Sequence, residues 1–312
     1  MKTNLIIILI LIITFTNIYG QTEKIITLKT TTGDLEGTLM MPESNSSKTV
    51  AFIIAGSGPT DRDGNNPAMK NNSLKMLAAE LNKNGIASLR YDKRGIGRSQ
   101  NAGLKEADLR FENYVNDAKA WIIYLKKELK FNNIIVIGHS EGSLIGMIAC
   151  QDKNASKFVS IAGAGQSADK IIREQIKSQP PSMIIQVNSI LDDLAKGKTV
   201  ENIPPALISL FRISVQPYLI SWIKYDPQKE IAKLKIPVMI VQGTTDIQIG
   251  LEDANRLIKA LPKAKLVVIE GMNHIMKQAP SDRQMNILTY TQPDLALKKE
   301  LIFNLIPFIN GL

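Results

Sequence analysis

Short apolar runs alternate with amphipathic stretches along most of the chain. The runs VAFIIA at 50–55 and IIVI at 134–137 lack the polar–apolar alternation of a strand with one wet face, and such runs are typical of strands buried on both faces of a parallel sheet. Between them, the stretch 111–129 places Val115 and Ile122 on one stripe, as expected for a helix with one buried face. Strands that alternate with helices in this way predict βα units.

Eight strands and five helices outside the region 167–225 follow from this pattern. The predicted strands are 24–29, 35–41, 50–55, 87–91, 134–137, 157–162, 238–242 and 265–269. The predicted helices are 74–81, 111–129, 141–150, 251–261 and about 295–308. The first two strands flank Thr32-Gly33-Asp34, which favours a hairpin. The pattern therefore predicts an α/β fold with a mostly parallel eight-stranded sheet and helices on both faces.

The alternation stops between about 167 and 225. This region holds Pro180-Pro181, Pro204-Pro205 and helical patches at 171–176, 184–194 and 207–215. Because the βα rhythm resumes at 238, we interpret the region as a helical insertion within one domain that covers 21–312.

The first twenty residues have the composition of a secretory signal peptide. Lys2 is their only charge, an aliphatic run covers 5–13, and the small residue Gly20 precedes Gln21. The alternative is a retained membrane anchor, which needs about 20 apolar residues, and the run is shorter than that. We therefore expect residues 1–20 to be cleaved and the protein to be exported to a periplasmic or extracellular location, with no stable membrane insertion afterwards.

Charge, cysteine and histidine content narrow the function classes. The 312 residues carry 38 Lys and Arg against 29 Asp and Glu, a net charge of +9 that falls to +8 without residues 1–20. No basic cluster with interleaved aromatic residues accompanies it, so no nucleic-acid partner is expected. Cys150 is the only cysteine, which excludes an intrachain disulfide. With two histidines and no metal-ligand spacing, we expect no metal and no other cofactor.

The strongest chemical motif is Gly138-His139-Ser140-Glu141-Gly142, at the junction of a predicted strand and a predicted helix. A Gly-x-Ser-x-Gly sequence in that place is typical of a nucleophile elbow, where a tight turn exposes the serine hydroxyl above a helix N-terminus. The alternative is an ordinary strand-to-helix turn. We interpret Ser140 as the catalytic nucleophile.

A serine nucleophile needs a base, and the base needs an acid that orients it. His139 is fixed beside the serine and its ring is expected to point away from it, which leaves His274, in the loop after the strand 265–269. The preferred acid is Asp246, in the loop after the strand 238–242, because serine, acid and histidine then follow the chain order of α/β-hydrolases. The competing acids are Glu252, Asp253 and Glu270.

The oxyanion of the tetrahedral intermediate needs hydrogen-bond donors. The backbone N–H of Glu141 follows the nucleophile, and the backbone N–H of Ser57 lies in the glycine-rich loop after the strand 50–55. The sequence does not favour nucleotide binding by that loop, because Gly56-x-Gly58 lacks the third glycine of the dinucleotide pattern.

Together these motifs resemble those of α/β-hydrolases of the serine aminopeptidase-like, Hydrolase_4 type branch, over nearly the whole chain after residue 20. The resemblance is carried by AGSGPTDRDGN (55–65), RYDKRGIGRS (90–99), GHSEG (138–142), QGTTD (242–246) and GMNH (271–274). It implies the α/β-hydrolase fold, the triad Ser140, Asp246 and His274, and a helical cap at about 167–225. Ala55 departs from the histidine that lipase-like members often carry before the oxyanion glycine, although a backbone donor needs no side chain.

Three secondary features leave alternatives open. The loop 61–65 is interpreted either as a contact to substrate or as a solvated turn. The residues Asp92, Arg94, Gly95 and Gly97 are interpreted as scaffold. The apolar residues of the insertion pack it onto the core or line an acyl pocket; they are Ile184, Ile185, Leu191, Leu207 and Phe211. Three acids of the insertion are interpreted either as binding the amine of a substrate or as solvated surface residues; they are Glu174, Asp192 and Asp193.

The expected function is hydrolysis of carboxylic esters or thioesters through an acyl-enzyme, with a small-molecule acyl substrate. A peptidase with the same triad is the nearest alternative, and a binding protein with an inactive site is a third. The sequence makes no prediction of the oligomeric state.

Overall fold

The computed structural model describes residues 22–43, 47–103 and 105–311. The predicted signal peptide at 1–20 lies outside the described residues. The eight predicted strands are all present, in one sheet with the order β1-β2-β4-β3-β5-β6-β7-β8. Their bounds are Thr22–Thr30 (β1), Gly33–Met41 (β2), Thr49–Ile54 (β3), Ala87–Tyr91 (β4), Asn133–His139 (β5), Lys157–Ile161 (β6), Val238–Gly243 (β7) and Lys265–Ile269 (β8).

The sheet is mixed but mostly parallel, which confirms the predicted fold class. β1 and β2 form the predicted hairpin, and β2 pairs antiparallel with β4. All other neighbouring strands are parallel. The chain leaves β3 for β4 on one side and then returns to pair β5 with the other side of β3. Ligands of such sheets bind outside the carboxyl ends of the strands at this reversal of strand order.

Helices cover both faces of the sheet. Alternate residues of β3 supply the two cores: Val50 and Phe52 pack on the side of α2 and α3, while Ala51 and Ile53 pack on the side of α1 and α11. The helices are Ser73–Lys83 (α1), Phe111–Lys127 (α2), Glu141–Ala149 (α3), Ala168–Gln175 (α4), Pro181–Ala195 (α5), Ile208–Phe211 (α6), Gln216–Ile223 (α7), Pro227–Ala232 (α8), Leu251–Ala260 (α9), Arg283–Leu288 (α10) and Lys299–Asn310 (α11).

The segment between β6 and β7 is helical, and α7 joins it to the body of the protein. The hydroxyl of Ser221 in α7 accepts a hydrogen bond of 2.8 Å from the backbone N–H of Phe111, at the start of α2. Tyr218 packs against Tyr114 with ring centroids 5.6 Å apart. By length and composition only, the range Pro205–Ile223 is long and apolar enough to cross a membrane. The contacts of Tyr218 and Ser221 pack its second half against α2.

The single helix predicted at 207–215 is wrong in one respect. α6 ends at Phe211, and the backbone of Arg212 is extended with ψ 146°, before a short 3₁₀ turn at Ile213–Val215. The Arg212 side chain forms an ion pair with Glu106, which lies just before α2, so the break joins the segment to the body of the protein. Helices α7, α8 and α10 were not predicted.

Candidate active site

Ser140 lies at the sharp turn between β5 and α3. Its backbone has φ 54° and ψ −121°, a conformation that L-residues rarely adopt and that costs about 1–3 kcal/mol. The turn is held because the backbone N–H of Ser140 donates to the carbonyl of Ile161 at 3.0 Å. A side chain at Gly138 would place its Cβ 2.2 Å from the carbonyl oxygen of Gly142, so the turn requires the glycine.

His274 and Asp246 are brought together at the carboxyl ends of the neighbouring strands β8 and β7. His274 Nδ1 lies 2.9 Å from Asp246 Oδ2, and both side chains are buried. The other carboxylate oxygen accepts backbone N–H groups from Gln248 at 2.8 Å and Ile249 at 3.0 Å. Burial by itself raises the pKa of Asp246, but His274 and these two amides outweigh it and lower the pKa below its ordinary value. The carboxylate therefore stays charged and fixes the Nδ1–H tautomer, so that Nε2 is the proton acceptor.

The competing acids have other environments. Asp253 is buried, and its carboxylate accepts the backbone N–H of Gly165 at 2.9 Å. Glu252 and Glu270 are exposed. Asp246 is thus the acid that contacts His274 in this loop cluster.

His139 supports the neighbouring loop instead of offering a base. Its Nε2 lies 2.8 Å from the backbone carbonyl oxygen of His274, and because a carbonyl only accepts, Nε2 carries the proton. The two imidazole rings pack with centroids 4.9 Å apart. Burial, and secondarily the His274 ring, lowers the pKa of His139 to about 4.

The two predicted oxyanion donors flank Ser140. The register pairs Ile54 of β3 with Gly138 of β5, so the loop that carries Ser57 lies against the nucleophile turn. A Cβ at Gly56 would be only 3.1 Å from the Cβ of Ser140. Ser57, Ser140 and Glu141 all line one cavity.

A buried ion pair beneath these donors was missed by the sequence reasoning. Lys93 Nζ lies 3.1 Å from Glu141 Oε1 and donates to the carbonyl oxygen of Gly56 at 2.6 Å. Lys93 stands within the motif 90–99, in which Asp92, Arg94, Gly95 and Gly97 are predicted to be scaffold and Lys93 has no predicted role. The sequence feature that could have indicated this pair is Glu141 in GHSEG, because a carboxylate in a buried turn needs a cation beside it.

The cavity over Ser140 has a volume of about 740 Å³. Its apolar wall is formed by the body of the protein and by the segment between β6 and β7, through Leu109, Tyr114, Leu144, Ile171, Ile172, Val215, Tyr218, Leu219 and Trp222. The five apolar residues singled out from the sequence of that segment are outside this lining. Leu191, Leu207 and Phe211 are buried in the core, Ile184 is half-buried, and Ile185 is exposed.

The loop 61–65 is neither a solvated turn nor a wall of the cavity. Arg62 is buried, with its Nε and Nη2 at 3.0 and 2.7 Å from Asp92 Oδ2. Its remaining guanidinium nitrogen donates to Thr38 at 2.9 Å. Arg94 likewise pairs with Asp117. These bonds brace the loops after β3 and β4, as scaffold residues do.

The acids considered for binding a substrate amine are also outside the cavity lining. Asp192 pairs with Arg173 at 2.7 Å on the surface of the segment. Glu174 and Asp193 are not among the residues that line the cavity.

Comparison with known proteins agrees with this architecture. Residues 70–278, about two thirds of the chain, match the family described as Hydrolase_4, serine aminopeptidase S33. No curated protein matches the chain.

Several solved structures share the fold. Est1E from Butyrivibrio proteoclasticus is 20% identical with a TM-score of 0.59, over 92% of this chain and 99% of that one. The Pyrococcus furiosus esterase Pf2001 is 17% identical with a TM-score of 0.56, over 93% of each chain. The α/β hydrolase GrgF from Penicillium sp. sh18 is 18% identical with a TM-score of 0.61, over 93% of this chain and 98% of that one.

At these identities the likeness concerns the fold. The family match covers β4 to β8 and the loops that carry Lys93, Ser140, Asp246 and His274, but not the loop that carries Ser57. The chain belongs to the serine aminopeptidase S33 (Hydrolase_4) family of the α/β-hydrolase superfamily.

Proposed function

We propose that the protein is a serine esterase that cleaves carboxylic esters or thioesters through an acyl-enzyme. The observation that carries the proposal is the arrangement of a strained Ser140 at the head of α3, in a cavity shared with Ser57 and Glu141, beside a buried His274–Asp246 pair. Backbone strain of this kind concentrates at functional sites, where the surrounding structure holds it in place.

In the proposed reaction, Ser140 Oγ attacks the ester carbonyl carbon while His274 Nε2 takes the hydroxyl proton. The carbonyl oxygen becomes an oxyanion, which accepts hydrogen bonds from the N–H groups of Ser57 and Glu141. The intermediate collapses as the imidazolium returns the proton to the leaving alcohol or thiol. A water molecule then gives its proton to His274 and attacks the acyl-enzyme, which releases the carboxylic acid and restores Ser140.

The cavity supports an acyl group of moderate size. Its wall is largely aliphatic and aromatic, and its volume of about 740 Å³ exceeds what an acetyl group fills. A structure of Est1E, which has the same fold, contains ferulic acid. We propose acyl groups between a short aliphatic chain and an aromatic acid of that size as substrates.

The charges of the cavity favour an ester over a peptide with a free amino terminus. Such a substrate needs a carboxylate to hold its ammonium group. Among the described residues that line the cavity, the acids are Glu106 and Glu141. Each is already paired with a cation, Glu106 with Arg212 and Glu141 with Lys93.

Labelling with a fluorophosphonate tests the enzyme proposal. Wild-type protein should form a stable adduct and Ser140→Ala should not. Folded wild-type protein that remains unlabelled would contradict catalysis and favour a binding role. Hydrolysis of p-nitrophenyl esters should then exceed that of aminoacyl p-nitroanilides, and comparable kcat/KM on both would overturn the ester assignment in favour of a peptidase.

We also propose that residues 1–20 direct export and are removed, because of their composition. Amino-terminal sequencing of the protein recovered from a cell that exports it should begin at or near Gln21. A full-length protein in the membrane fraction would instead support the anchor.

A further inference from the structure

Lys93 and Glu141 form an ion pair that is almost completely withdrawn from water. Their side chains are 1% and 2% exposed, and Nζ lies 3.1 Å from Oε1. The ammonium group also lies 4.9 Å from the centre of the Tyr114 ring. Burying two charges removes their hydration, and such a pair often adds no net stability over apolar residues. Stability alone is therefore a weak explanation for an ion pair at this place.

The first partner of Lys93 belongs to the peptide unit of one candidate oxyanion donor. Lys93 Nζ donates to the carbonyl oxygen of Gly56 at 2.6 Å, and this carbonyl shares a planar peptide group with the N–H of Ser57. In a trans peptide the C=O and N–H bonds point in opposite directions, and the described residues contain no cis peptide bond. Holding the oxygen toward Lys93 thus turns the N–H of Ser57 away from it. The ammonium also polarises the peptide group, which strengthens the N–H as a donor.

The second partner of Lys93 is the residue that carries the other donor. Glu141 is the first residue of α3 and supplies the backbone N–H that follows the nucleophile, while its side chain reaches back to Lys93. The hydroxyl of Tyr218, from the segment between β6 and β7, is buried near this carboxylate; burial first, and the Glu141 charge second, raise the pKa of Tyr218. One ammonium group from the loop after β4 therefore joins the loops after β3 and β5.

We propose that Lys93 is a positioning residue for the oxyanion hole, which orients the Ser57 and Glu141 amides together. This inference rests on the proposed function, since it assigns a role within the same reaction. Lys93 does not touch the reacting atoms in this role. It fixes two donors before the oxyanion forms, and preorganised donors of this kind act on the transition state more than on bound substrate.

The experiment compares Lys93→Met with wild type on one p-nitrophenyl ester. Removing an oxyanion donor outright lowers kcat about 10²–10³-fold, and we expect misorientation of both donors to lower kcat by about 10–100-fold with KM within about 2-fold of wild type. Affinity for an alkyl boronic acid, whose adduct on Ser140 has the same tetrahedral shape, should weaken by a similar factor. Since Lys93→Met leaves Glu141 unpaired, the double variant K93M/E141L removes both buried charges, and we expect the same loss of kcat from it.

Lys157→Met is the matched control. Lys157 also donates through Nζ to backbone carbonyls, those of Phe308 and Ile309 at 2.6 and 3.1 Å, but it stands at the amino end of β6, opposite the active site. It should lower the melting temperature and leave kcat unchanged. If Lys93→Met and K93M/E141L fold and keep wild-type kcat, with only a lower melting temperature, the positioning role is wrong.

Different results would contradict the proposed esterase function and the role of Lys93. Absence of wild-type labelling by fluorophosphonate would remove the enzyme proposal and this inference together. Normal labelling of wild type, with the Lys93 variants equal to wild type in kcat and boronate affinity, would remove the inference alone.

Discussion

The imidazole of His139 donates a hydrogen bond from Nε2 to the backbone carbonyl oxygen of His274, at 2.8 Å. The residue beside the candidate nucleophile therefore holds the loop of the candidate base. β5 and β8 are separated in the sheet by β6 and β7, so no backbone pairing between these strands sets the position of that loop. The bond between the two histidines supplies a direct link across this distance.

The pKa of His139 makes its contribution to stability dependent on pH. Its pKa is lowered from 6.5 to about 4 in the folded protein, first by burial. Between these values the unfolded chain binds a proton that the folded protein does not, so the free energy of unfolding rises with pH and this contribution is lost as pH falls from about 6.5 to about 4. The difference corresponds to about 3 kcal/mol.

His139→Gln should remove this dependence, because an amide can donate to the same carbonyl and does not titrate. Urea denaturation at pH 7 and pH 4 should show a smaller loss of unfolding free energy for the variant than for wild type, by about 3 kcal/mol. Parallel losses in the two proteins would show that His139 titrates normally in the folded state.

The pH dependence of activity should come from His274. A histidine base works only in its neutral form, so kcat/KM should rise with pH along an acidic limb. His139 is not the source of a limb above about pH 5, because burial lowers its pKa to about 4. The acidic limb should therefore persist in His139→Gln, measured as kcat/KM from pH 4.5 to 9. A flat wild-type profile would contradict a histidine base, and loss of the limb in the variant would assign it to His139.

Asp246→Asn should lower kcat far more than it lowers stability. An amide at this position still accepts the N–H groups of Gln248 and Ile249 through its oxygen, but its NH₂ group would then face His274 Nδ1 and favour the wrong tautomer. In a serine protease the same change lowers kcat about 10⁴-fold, and we expect a loss of about 10³–10⁴-fold here. Asp253→Asn is the control, since Asp253 binds Gly165 and not His274. Equal losses in the two variants would mean that Asp246 acts only through the fold.

The sequence pattern predicted the strands more completely than the helices. The strand 87–91 was predicted with its observed bounds, since it is buried throughout. α7 was missed because Gln216–Ile223 is apolar on most sides, so no stripe distinguishes it from loop. In α10 the residues Met285, Ile287 and Leu288 are exposed, so the helix lacks the buried apolar face on which such predictions depend.

The charged pairs show a further limit. Arg62 and Asp92 are 30 residues apart, and Lys93 and Glu141 are 48 apart. The sequence contained every one of these residues within recognised motifs. Which lysine or arginine becomes buried depends on how the loops after β3, β4 and β5 meet, and local pattern carries no information on that meeting. His274 was readable because only two histidines competed.

Filling the proposed acyl pocket should change the preference for acyl-chain length without affecting the chemistry. Val215 lines the cavity from the segment between β6 and β7 and is half-buried, so Val215→Trp would place an indole in the space available to the acyl group. We expect kcat/KM for octanoate esters to fall about 10-fold or more while that for acetate esters stays within about 2-fold, because an apolar pocket discriminates by roughly 10–200-fold per methylene misfit.

Ile185→Trp is the matched control, since Ile185 belongs to the same segment but is 69% exposed. The comparison is a series of p-nitrophenyl esters from acetate to octanoate. A uniform loss across the series in Val215→Trp would mean that the indole disturbs the fold of the segment, and an unchanged series would place the acyl group in another part of the cavity.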